Sequence, residues 1–150
     1  MVITFKEAKP EPDLISRILH IEKKDFGKGA LNEYVIVPLM RHGRVYIAVD
    51  EDGEAIACAY FLADFYDPKL CFLLSVAVLP EFKGYDIGIS LLDYALSDLK
   101  DLGLTKVQLT VDPSNYNALS VYRERLGFSV TDSADEYGAG GMRLVMKKEL

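Results

Sequence analysis

Lys83, Gly84, Tyr85, Asp86, Ile87 and Gly88 make a short turn between an apolar run that ends at Leu79 and Pro80 and an amphipathic stretch that follows. A strand feeding such a turn and then a helix brings backbone N–H groups and the positive end of the helix to one point. That is the chemistry of anion and phosphate binding. The same glycines equally suit a tight turn and close packing of the helix with no ligand present. A second group of chemically able residues is acidic: Asp50, Glu51, Asp52, Glu54, Asp64 and Asp67 occur between Val45 and Pro68 with no Lys or Arg among them. They invite a cationic partner, although Asp50 to Glu54 read more simply as a solvated turn. His20 lies inside a helical stretch and His42 sits beside Arg41 and Arg44, where a cation answers a helix carboxyl end, so neither is assigned catalysis.

The elements that would position the turn can be read from periodicity. Residues 2–8 suit a first strand before Pro10 and Pro12, and Asp13 caps a helix through about Lys24. After Gly27 and Gly29, residues 30–40 are helical with an interruption near Pro38. Residues 45–50 and 54–65 flank Asp50-Glu51-Asp52-Gly53, a hairpin signal, and residues 70–79 pair with the second arm to give three adjacent antiparallel strands. In that pairing Cys71 falls near Asp64 and far from Cys58, so no disulfide is expected.

Asp86 can cap the next helix, whose buried side carries Gly88, Leu91, Leu92, Ala95, Leu96 and Leu99 up to Gly103. Residues 105–111 form a strand, 115–126 a helix ending at Gly127, and 128–132 and 142–148 two last strands joined by a glycine-rich loop. Strands and helices alternate only in the second half. The fold class is therefore α/β in the α+β sense: one mixed, mostly antiparallel sheet of about seven strands with helices on both faces, in a single domain spanning residues 1–150.

Composition limits the partners. The chain has 150 residues, 50% of them hydrophobic, a formal charge of −6 and two cysteines without metal-ligand spacing. Net acidity without a basic cluster argues against a nucleic-acid binder. No apolar run approaches a membrane span and the first residues lack a signal-peptide layout, so a cytoplasmic protein, with no membrane partner and no metal, is expected.

Two motifs in residues 70–128 resemble those of the GNAT superfamily of acyl-CoA-dependent N-acyltransferases. The first is the turn, where Lys83, Asp86 and Gly88 stand at the positions of Arg or Gln, Gly, and Gly or Ala; the second is Asn115, Ala118 and Tyr122 followed by Gly127 and Phe128. The resemblance implies acetyl transfer from acetyl-CoA to a primary amine, cationic if the acidic loops serve it, by a monomer or homodimer. It implies a strand that splays from its neighbour over Val76, Ala77 and Val78 to pair with the pantetheine arm. The pyrophosphate would lie on the N–H groups of Gly84, Tyr85, Asp86, Ile87, Gly88 and Ile89 beside Lys83, with Asn115 near the same arm.

Tyr122 resembles the family's general acid, which protonates the departing thiolate; its alternative role is an aromatic on an amphipathic helix. Some members carry a base on the fourth strand, where this chain has Phe72, so Asp64 on the neighbouring strand takes that place, ahead of Asp67 and Glu81. Asp86 stands where the family has Gly, and a carboxylate there repels phosphate unless it turns back to its own helix. That departure leaves a second reading, a non-catalytic or modified GNAT-like module that binds acyl-CoA.

Overall fold

The computed structural model describes residues 1–139 and 141–150. Seven strands follow the order β1-β2-β3-β4-β5-β7-β6, and the chain divides into two compact units, Met1–Leu62 with Leu73–Ala95, and Ala63–Phe72 with Leu96–Leu150.

In the first unit, β1 (Thr4–Glu7) runs antiparallel to β2 (Arg44–Val49), which pairs antiparallel with β3 (Ala55–Ala63), Ile47 lying opposite Cys58. The hairpin closes as the acidic turn requires. Asp50 Oδ1 accepts the backbone N–H groups of Asp52 and Glu54 at 3.0 Å each, and Gly53 takes a φ of 82°.

Helix α1 (Pro12–Phe26) begins with proline in its first turn, where no N–H is needed, and buries Ile18, Ile21 and Glu22. It starts earlier and ends later than Asp13 to Lys24. Helix α2 (Glu33–His42) starts after the expected Ala30 because Asn32 caps it, Oδ1 accepting Tyr34 N–H at 3.0 Å. Pro38 is held inside this helix, whose buried residues are Ile36, Leu39 and Met40.

Strand β4 (Leu70–Val78) joins β3 through Asp64 N–H to Leu70 O at 3.1 Å near one end and Leu79 N–H to Ile56 O at 2.9 Å near the other, the antiparallel pairing expected. Helix α3 (Ile87–Asp101) follows, with Leu91, Leu92, Ala95, Leu96 and Leu99 all buried. The apolar side read from three- and four-residue spacing is the side that is covered.

In the second unit, β4 pairs parallel with β5 (Lys106–Val111) over Leu70↔Lys106, Cys71↔Val107 and Phe72↔Gln108, which makes the sheet mixed. β7 (Arg143–Glu149) lies antiparallel to both β5 and β6 (Ser129–Ala134). β6 runs two residues past the expected Asp132 end.

The helix expected over residues 115–126 is not uniform: α4 (Tyr116–Ser120) is followed by a π-helical turn, Val121–Arg125. Leu126 N–H bonds back to Val121 O at 3.1 Å, Phe128 N–H to Tyr122 O at 2.8 Å, and Gly127 takes a φ of 79° that lets the chain reverse. Widened turns of this kind re-aim side chains, and they recur at functional sites. Tyr122 lies in it. Both cysteines are free and buried, in keeping with the reading of the spacing. Among the described residues no helix is long and apolar enough to cross a membrane.

Candidate active site

β4 runs on past Phe72, the last residue of its pairing with β5, through Val76, Ala77 and Val78. Ala77 is wholly buried. Val78 N–H is taken by a side chain, the carboxylate Oδ2 of Asp25, at 2.9 Å. The other oxygen of Asp25, Oδ1, accepts the ammonium of Lys83, and the Asp25 side chain is only 8% exposed against 55% for Lys83. One carboxylate at the end of α1 thus ties a β4 backbone donor to the first residue of the glycine turn.

The turn itself has two left-handed positions. Gly84 has φ 90°, where a Cβ would meet no atom within 4 Å, so conformation and not space calls for glycine. Asp86 has φ 59°, the one non-glycine residue with positive φ among those described. This explains why glycine suits the position, and aspartate is among the few other residues that tolerate it. Asp86 O accepts Ser90 N–H at 3.0 Å, so α3 begins directly from the strained residue.

Gly88 has ordinary φ. A Cβ on it would meet Val78 Cγ2 at 3.4 Å and Val76 Cγ1 at 3.8 Å, ordinary contacts, so α3 packs on β4 closely but leaves room for alanine. Tyr85 is 62% exposed, Ile87 is buried and Ile89 half-buried.

Beside β4 lies a cavity of about 250 Å³ lined by Glu22, Phe26, Gly29, Leu31, Leu74 and Ser75. Glu22 is wholly buried, the only buried charged residue among those described. Its Oε1 accepts Leu31 N–H at 2.9 Å, its Oε2 the Tyr60 hydroxyl at 2.8 Å, and Tyr60 Oη lies 3.0 Å from Cys58 Sγ. Burial raises the Glu22 carboxyl pKa; the two hydrogen bonds pull it down and the nearby Asp25 charge pushes it up. Burial also drives the Cys58 thiol to about 12 and lifts the Tyr60 phenol well above its ordinary range. Sequence reading passed over Glu22. Its signal was a carboxylate on the apolar face of α1, next to Ile21 and one turn after Ile18.

Tyr122, Asn115 and Asp64 belong to the second unit. The Tyr122 ring packs edge-on against Phe128, centroids 5.7 Å apart, and the side chain is half-buried. Burial raises its pKa, with Arg143 pulling the other way, so the phenol holds its proton through neutral pH. Asn115 Oδ1 caps α4 by accepting Ala118 N–H at 3.2 Å.

Asp64 Oδ2 accepts the backbone N–H groups of Tyr66 at 3.0 Å and Asp67 at 2.7 Å, closing the turn between β3 and β4. Asp67 is paired with Lys106 Nζ at 2.7 Å, and that hydrogen bond holds its carboxyl below the ordinary range. Part of the acidity noted in the sequence is therefore already answered within the fold.

The sequence profile of the acetyltransferase (GNAT) family matches residues 15–128. An uncharacterized N-acetyltransferase of Chlorobaculum tepidum is 28% identical over 109 residues, 73% of this chain and 69% of that one. The ribosomal-protein-S18-alanine N-acetyltransferase of Escherichia coli has the same fold, with a TM-score of 0.81 at 20% identity over 97% of this chain and 94% of that one. So does the PaiA N-acetyltransferase of Thermoplasma acidophilum, solved with coenzyme A, with a TM-score of 0.75 at 19% identity over all of both chains. With the profile spanning most of its length and the seven-stranded mixed sheet shared with these structures, the chain belongs to the acetyltransferase (GNAT) family and is an N-acetyltransferase of it.

Proposed function

We propose that the enzyme transfers an acetyl group from acetyl-CoA to a primary amine by direct attack of the amine nitrogen on the thioester. The observation that carries this reading is the end of β4: its pairing with β5 covers only Leu70–Phe72, while the strand continues to Val78 and then into a turn with two left-handed residues opening α3. The β4 backbone beyond its β5 pairing, at Val76 and Val78, suits the amides of pantetheine, and the N–H groups of Gly84, Tyr85, Asp86, Ile87, Gly88 and Ile89 with Lys83 suit a pyrophosphate. Two relatives of the same fold, PaiA and the Sinorhizobium meliloti phosphinothricin acetyltransferase, were solved with CoA and acetyl-CoA. Acetyl-CoA supplies the activated acyl group and a thiolate leaving group.

In this reading Tyr122 gives its proton to the thiolate, a role supported by a pKa that burial keeps high. Asn115 is the candidate for a side-chain hydrogen bond to the pantetheine arm through its amide N–H, since its Oδ1 is taken by Ala118 N–H. The proton lost by the amine goes to a carboxylate. Asp64 accepts two turn N–H groups through Oδ2, and Glu22 accepts Leu31 N–H and the Tyr60 hydroxyl; the place of Glu22 in the cavity beside β4 favours it as the proton acceptor. A buried anion bonded only to neutral donors also favours a cationic acceptor in that cavity.

Asp86 favours a second reading, a modified GNAT module that binds acyl-CoA without turnover, because a carboxylate occupies the left-handed position of the phosphate turn. Mass spectrometry of polyamines, amino acids, aminoglycosides and amino-terminal peptides incubated with enzyme and acetyl-CoA separates the two. One added acetyl group on any of them supports transfer; unchanged amines together with CoA binding support the module.

A further inference from the structure

We propose that Asp25 sets the affinity for acyl-CoA by occupying its groove, one carboxylate holding Val78 N–H and the Lys83 ammonium until the cosubstrate displaces it; this rests on the groove assigned above. Val78 N–H and Lys83 are two donors of different kind, a strand amide and a surface cation, and both are satisfied by one side chain from α1. An amide N–H of this kind has one hydrogen to give, so Val78 cannot serve Asp25 and a pantetheine carbonyl together. Lys83 faces the same choice between a carboxylate and a phosphate.

The pair is asymmetric in a way that suits exchange. The Asp25 carboxylate is covered, which strengthens its hold on both donors, while the Lys83 end is open to solvent and can change partner. Asp25 also stands at the end of α1, directly before Phe26 and the positive-φ Gly27, where the helix gives way to a short turn. Glu22, one turn earlier on the same helix, feels the Asp25 charge and gains nothing from keeping it there. Asp25 is thus a specificity-determining residue of the cosubstrate groove: only a ligand offering both an amide acceptor and an anion at this spacing replaces it fully.

CoA titrated calorimetrically into wild type, Asp25→Ala, Asp25→Asn and Lys83→Ala tests this. Asp25→Ala is expected to bind CoA on the order of tenfold more tightly than wild type, the scale of a charge-assisted hydrogen bond no longer broken. Asp25→Asn, which keeps the shape but not the charge, should fall between them, and Lys83→Ala should bind more weakly. If Asp25→Ala does not fold, Asp25→Asn decides alone. Equal or weaker CoA binding in an Asp25 variant that melts like wild type would overturn the competition and make Asp25 a support for Lys83. Absence of CoA binding in wild type and every variant would instead sink the groove assignment itself, and the proposal with it.

Discussion

Val78 N–H donates to the carboxylate of Asp25 at 2.9 Å, so the last residue of β4 is satisfied by a helix side chain and not by a neighbouring strand. The same carboxylate holds Lys83, and through it the strand, the end of α1 and the glycine turn are fixed together.

The turn makes opposite predictions at its three small or strained positions. Gly84→Ala forces a Cβ into φ 90° and should cost about 1 kcal/mol or more in urea unfolding, by the usual left-handed penalty. Asp86→Gly removes that penalty at φ 59° and should leave the thermal midpoint unchanged or higher. Gly88→Ala, meeting only Val78 and Val76 at ordinary contact distances, should be tolerated. A fall in midpoint for Asp86→Gly as large as that for Gly84→Ala would contradict the conformational account.

Glu22 predicts a pH dependence of stability. Its folded pKa is raised, so in the window between the ordinary and the raised value the native state binds more protons than the unfolded chain. Its contribution is full below the ordinary carboxylate range and declines as pH rises through the raised folded value. Glu22→Gln cannot ionise. The wild-type unfolding free energy minus that of Glu22→Gln should therefore become less favourable to wild type as pH rises through this window, and a flat difference would show that burial does not penalise the charge.

The two thiols should be silent in the folded protein. Burial pushes Cys58 to about 12 and Cys71 to about 11, so almost no thiolate is present at neutral pH and neither sulfur is accessible. A disulfide-exchange colorimetric reagent should titrate two thiols after unfolding and none within minutes before it. Rapid reaction of the native protein would contradict the burial of both.

Much of the architecture could be read from the chain because the relevant signals are local. The β2–β3 hairpin follows from Asp50 and Gly53, the buried side of α3 from its leucine spacing, and the tight turn before α3 from its glycines. What escaped depends on long-range partners. Nothing near Asp25 in sequence announces Val78 or Lys83, and Glu22 looks like a surface residue until α1 is laid against Tyr60 and Leu31. The π-helical turn at Tyr122 escaped for a related reason: residues 115–126 keep a helical pattern, and only the reversal at Gly127, with Phe128 bonded to Tyr122 O, shows where the turn widens. Asp86 stands out in the sequence by its charge, whereas its backbone conformation, visible only in the fold, explains why glycine suits that position.

Amine acetylation with Tyr122 as the acid is read out by the release of free CoA thiol from acetyl-CoA across a panel of amines. Thiol release is expected with at least one amine, at a rate about a hundredfold or more lower for Tyr122→Phe, with unchanged CoA affinity in that variant because its ring still packs on Phe128. No thiol with any amine from a protein that binds CoA, or an undiminished rate in Tyr122→Phe, would contradict it.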